Sequence, residues 1–138
     1  MALCGVAAWM LPAAWATTLP RGARLAAVAI AVSGLALNLL PKRSFGQRGT
    51  TVNPLHPERS TELVVTGLYR WTRNPMYLGQ AALLLGWALW LGQPWALACV
   101  AAYVLWIDRL QIPAEERALH ARFGAAYDAY RQRVGRWF

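Results

Sequence analysis

Pro75–Leu91 reads PMYLGQAALLLGWALWL, and Trp95–Ile112 reads WALACVAAYVLWIDRLQI, with only Gly92-Gln93-Pro94 between them. The first run carries no charge, and the second is free of charge until Asp108 and Arg109. A membrane-spanning helix needs about 20 mostly apolar residues, with a range of roughly 17 to 25. Both runs fit. A three-residue link forces them into a tight antiparallel hairpin. Trp90 and Trp95 flank the link where an aromatic belt meets the headgroups.

Working outward, Ala23–Leu40 forms another apolar stretch, with Pro41 as its expected end, and Ala2–Leu19 forms a fourth. A cleaved leader is the alternative for Ala2–Leu19, but no Lys or Arg precedes Arg21 to supply the positive flank. The chain of 138 residues is 57% hydrophobic and 14% charged, where a soluble domain carries about 25% charged residues. These numbers exclude disorder, collagen-like repeats and a small disulfide framework. The expected fold is all-α: a single domain, 1–138, built as a polytopic membrane helical bundle. It has about four transmembrane helices (2–19, 23–40, 75–91, 95–112), a cytoplasmic loop (41–74) and a C-terminal amphipathic cytoplasmic helix (114–134). Small-x-x-x-small steps at Ala29–Ser33 and Ala82–Gly86 permit close helix contact. They do not decide an oligomeric state.

Fourteen Lys and Arg against six Asp and Glu give a net charge of +8. Two of the basic residues fall in the Arg21–Arg24 loop, six in the long loop and six in the tail, a split of 12 against 2 across four spans. The excess of positive charge faces the cytoplasm, so both termini are expected there. Basic residues set between apolar blocks point to membrane lipid as the partner. No groove-reading element is offered to nucleic acid. Spans with few polar groups argue against a through-path and for a site at the cytoplasmic membrane surface.

The loop and tail carry the chemistry. Leu63-Val64-Val65 is an apolar patch inside the loop, so the loop is expected to fold down onto the protein. In the tail, Leu119, Phe123, Tyr127, Tyr130 and Val134 recur at helical spacing and mark one apolar face. Arg73-Asn74-Pro75 leads into the 75–91 helix, and Pro75 suits its first turn. Unpaired N–H groups and an adjacent arginine there suit a carboxylate. An interfacial anchor with aromatic neighbours Tyr69, Trp71 and Tyr77 has the same composition. Glu115-Glu116 can accept two hydroxyls, as a ribose presents, or can simply match the dipole of a helix start.

In order, Gly67-Leu68-Tyr69, Arg73-Asn74-Pro75-Met76-Tyr77-Leu78-Gly79, Glu115-Glu116-x-x-Leu119 and Phe123-Gly124-x-x-Tyr127-x-x-Tyr130-x-x-x-Val134 resemble the isoprenylcysteine carboxyl methyltransferase family. This family belongs with the integral-membrane methyltransferases that include the phospholipid N-methyltransferases. The resemblance covers about Leu63 to Trp137. It implies an S-adenosylmethionine pocket lined by Tyr69, Arg73, Asn74, Pro75, Tyr77, Gly79, Glu116 and Leu119, with S-adenosylhomocysteine as product. It implies further that Arg109 orients a small amphiphilic methyl acceptor. Apart from the resemblance, an amine or thiol acceptor must lose a proton, and Glu115, Tyr77 and His120 are the candidate bases, with His120 expected at the surface of the tail helix. Asn74 stands where the family usually has His, and Thr61 where prenylcysteine-type members tend to have His. Both departures bear on the acceptor more than on the cofactor. No Gly-x-Gly-x-x-Gly follows a strand-like run, which excludes a Rossmann methyltransferase. Cys4, Cys99 and the histidines form no metal-ligand spacing, so no metal is expected. A non-enzymatic membrane adaptor, which needs no small-molecule pocket, is the competing reading.

Overall fold

The computed structural model describes residues 20–47 and 63–138. The expected first span (2–19) and residues 48–62 of the loop, Thr61 included, lie outside the described residues. Within these bounds the chain is helical and has no strand.

Helix α1 spans Arg21–Gln47. It does not end at Pro41, as expected, but continues through it. Proline removes one backbone hydrogen bond and crowds the carbonyl four residues back, which bends or breaks a helix only if nothing else holds it. Here Pro41 is buried, and apolar helices tolerate proline where neighbouring groups hold the chain. Helix α2 spans Pro75–Leu91, the expected bounds. Pro75 opens it at the first helical position, and Gly92, at φ 64°, closes it in the left-handed region that only glycine adopts cheaply. Pro94 is the first residue of α3, not part of the link; α3 spans Pro94–Trp106.

Helices α1 and α2 touch backbone to backbone. A Cβ on Gly79 would lie 2.6 Å from the Asn38 nitrogen and 2.6 Å from the Gly34 oxygen. One on Gly86 would lie 2.6 Å from the Ala27 oxygen. Close approach of small residues supplies packing that lipid tails do not. The face α1 uses is Ala27, Ala31, Gly34 and Asn38; Ala29 and Ser33 are exposed. Asn38 is buried and donates through Nδ2 to the Met76 carbonyl, 3.2 Å away. The Tyr103 hydroxyl donates to Gln80 Oε1 and ties α3 to α2.

Beyond α3 the helix does not stop at 112 and restart at 114. It widens into one π turn, Ile107–Gln111, and continues as α4, Ile112–Phe123. Pro113 has no N–H to give, and its ring would press on the carbonyl four residues back. A turn in which the Ile112 N–H reaches the Ile107 carbonyl makes room for it. Arg21–Pro41 and Pro94–Phe123 are each long and apolar enough to cross a membrane, and α2 is a shorter apolar helix. The expected tail helix 114–134 is broken at Gly124 (φ 48°, ψ −124°), after which α5 spans Ala125–Arg133. Its apolar face survives the break. Tyr127, Tyr130 and Val134 are buried, with Leu119, Phe123, Leu63 and Val65 packed on them. The loop's apolar patch therefore closes on the tail.

Candidate active site

The approach to α2 is a short 3-10 turn, Gly67–Arg70, followed by Trp71–Asn74. The chain end fastens these residues down. Thr72 is buried; its Oγ1 donates to the Arg136 carbonyl (3.1 Å) and accepts from the Asn74 N–H (3.1 Å). Asn74 Nδ2 also donates to the Arg136 carbonyl, at 3.1 Å, so this side chain does not cap its own helix. The Arg73 N–H donates to the Gly135 carbonyl at 3.0 Å.

So held, the Arg73 side chain, 11% exposed, places Nη1 3.0 Å from Glu116 Oε1. The same nitrogen donates to the Tyr127 hydroxyl at 3.3 Å. Arg136 takes Glu116 from the other side, with Nη2 2.8 Å from Oε2 and Nε 3.3 Å from Oε1. Arg136 Nη1 also reaches Asp108 Oδ1 at 3.2 Å, and Trp137 Nε1 donates to that oxygen at 3.0 Å. Two guanidiniums and two carboxylates thus alternate in one balanced row. Glu115 lies beside it, accepting from the Tyr77 hydroxyl and, at 2.7 Å, from Gln111 Nε2, both through Oε1.

The flanking phenols are proton-holding groups. Burial, with the neighbouring Tyr130 and Glu115, pushes the Tyr69 hydroxyl well above the usual phenol range. Burial likewise raises Tyr130, whose hydroxyl donates to the Tyr69 carbonyl at 2.8 Å. Hydrogen bonding to Glu116 raises the Arg136 guanidinium, which stays charged.

Of the residues expected at the site, Arg73, Asn74, Pro75, Tyr77, Glu115, Glu116 and Tyr69 gather around this row. Leu119 packs in the tyrosine cluster beside it. Gly79 is buried in the α1–α2 contact, where it sets how closely α2 approaches α1. The Arg109 side chain is 76% exposed and lies 3.8 Å from Asp108 Oδ2. His120 sits at the surface, 3.2 Å from Asp128. Sequence reasoning missed Thr72, Asp108, Arg136 and Trp137 as site residues. Tyr127 and Tyr130 were visible as apolar positions of the tail and as part of the resembling motif, but not as partners of Arg73 and of the Tyr69 carbonyl.

A family model for phospholipid methyltransferases matches residues 23–126, three quarters of the chain. The chain belongs to the phospholipid methyltransferase family. Over 62 residues it is 44% identical to an uncharacterized protein of Haemophilus influenzae, covering 45% of this chain and 98% of that one. Over 76 residues it is 40% identical to the protein-S-isoprenylcysteine O-methyltransferase of Saccharomyces cerevisiae, covering 53% of this chain. The match spans 30% of the yeast enzyme's length. No solved structure matches. Family membership and the two long apolar helices together make this a membrane methyltransferase.

Proposed function

We propose that the protein transfers a methyl group from S-adenosylmethionine to a small amphiphilic or lipid-like acceptor at the cytoplasmic face of the membrane. The observation that carries this reading is the 3.0 Å contact between Arg73 and Glu116. It joins the start of α2 to the acidic pair of α4, the two stretches one nucleotide ligand must touch. The donor set suits such a ligand. Arg73 Nε is buried and has no hydrogen-bond partner among the described residues, so a ligand carboxylate meets a cation with a bond to spare.

On this reading Arg73 and Asn74 hold the methionyl carboxylate beside the first turn of α2, which Pro75 opens. Tyr69, Tyr77 and Leu119 pack the nucleoside. Glu116 accepts from ribose, though its bonds to Arg73 and Arg136 leave it little spare capacity. When bound, S-adenosylmethionine supplies an electrophilic methyl on a sulfonium; the protein's task is alignment and exclusion of water. A carboxylate acceptor arrives ready to react. An amine or thiol must lose a proton, and Glu115, whose Oε2 makes no hydrogen bond among the described residues, is the group to take it. Arg109, exposed on the helix flank, orients the acceptor's polar head. The 12-to-2 distribution of basic residues supports a cytoplasmic site.

Membranes containing the protein, given donor labelled in the methyl group, should label an extractable amphiphile, and Arg73→Gln should abolish the label. Release of labelled methanol in mild alkali identifies a methyl ester; an alkali-stable product identifies an amine or thiol. Equal labelling by Arg73→Gln membranes would remove Arg73 from the site.

A further inference from the structure

Arg136 occupies a place that no expectation gave it. Its side chain forks onto both oxygens of Glu116 and reaches Asp108 on the π turn. Its main-chain carbonyl accepts from Thr72 and Asn74 at the start of α2. One residue near the chain end therefore touches both halves of the candidate site. Without it, Glu116 keeps Arg73 on one oxygen only and is free to turn about its last torsion.

We propose that Arg136 is a positioning residue of the donor site. Its fork fixes the plane of the Glu116 carboxylate, and its carbonyl fixes the segment that presents Arg73. The inference rests on the donor-binding reading above. A planar two-point grip is what guanidinium offers and ammonium does not. Position and charge also separate cleanly. Loss of Arg136 makes the row more negative, and charge alone would favour the cationic donor over its neutral product. Loss of position weakens both alike.

The test uses the full chain purified in detergent, with S-adenosylhomocysteine and S-adenosylmethionine as probes in equilibrium binding. Arg136→Gln should weaken both by about tenfold or more, the scale of a lost charge-assisted hydrogen bond, a loss shared by the two probes and not confined to their ratio. Arg136→Lys restores charge without the fork and should recover only part of the loss. Added guanidinium at millimolar concentration should partly rescue Arg136→Ala. Should the Arg136 variants not fold, Thr72→Val removes one donor to the Arg136 carbonyl and should weaken both probes about threefold to tenfold. Wild-type affinity in folded Arg136→Gln, or in Thr72→Val where the Arg136 variants do not fold, overturns the inference. So does a shift confined to the donor-to-product ratio. If the unaltered protein binds neither probe, the functional reading itself falls; if it binds both and the variants match it, only the positioning role falls.

Discussion

Glu116→Ala should destabilise the protein by an amount set by its partners. The carboxylate, 13% exposed, is held by three nitrogens at 3.0, 3.3 and 2.8 Å. Arg136 is 32% exposed, so its share is closer to that of a surface pair, about 1 kcal/mol or less. Arg73 is 11% exposed and already has one unpartnered nitrogen, so losing Glu116 strands a buried cation. Breaking such a pair from one side costs about 3–5 kcal/mol. Allowing for partial solvation, the loss is about 3 kcal/mol. For a chain of this length that lowers the thermal midpoint by about 10 °C. The assay is thermal unfolding in detergent at one fixed scan rate, because membrane proteins often unfold irreversibly and the midpoint then reports a rate. The double variant Arg73→Met with Glu116→Leu removes both charges and should regain most of the loss. It should not regain ligand binding. A drop of less than about 3 °C for Glu116→Ala would mean that water already screens the pair, and the reasoning from a buried row would be refuted.

Three further outcomes are expected. Gly79→Ala should cost about 1–3 kcal/mol by overpacking, since its Cβ would lie 2.6 Å from α1 backbone atoms, while Gly22→Ala, with open space around it, should be neutral; thermal midpoints check both. Arg109→Ala should change stability by less than about 0.5 kcal/mol and leave S-adenosylhomocysteine affinity intact, because the side chain is largely exposed; only turnover of the acceptor should fall. Tyr130 has a folded pKa raised above its ordinary 10.0, so its contribution is complete below pH 10 and is lost as pH climbs through the folded value. Phenolate absorbance should therefore lag that of free tyrosine, and the tail should loosen in step with it; ionisation at the free-tyrosine pH would contradict its burial.

The parts of the fold written in local signals were legible. Pro75 and Gly92 bound α2 because a first-turn proline and a left-handed glycine act within one turn. Pro41 and Pro113 misled for the same reason. A local rule marks them as breaks, while neighbouring packing and a widened turn carry the helix past. The spacing of Leu119, Phe123, Tyr127, Tyr130 and Val134 revealed the buried face of the tail but not the bend at Gly124, since two short helices can share one apolar stripe. Arg73, Tyr77, Glu115 and Glu116 were legible as a set through resemblance and motif order. Arg136 was not. Its partners lie 20, 28, 62 and 64 residues away, and no spacing rule reaches so far. As one cation among several in the tail, it carried no mark of its own.

Calorimetric titration of S-adenosylhomocysteine into the purified protein, with Arg73→Gln and Glu116→Ala beside it, puts the shared grip of α2 and α4 to its plainest test. One saturable site in the unaltered protein and none in either variant is the predicted result. Unchanged affinity in both folded variants would contradict it.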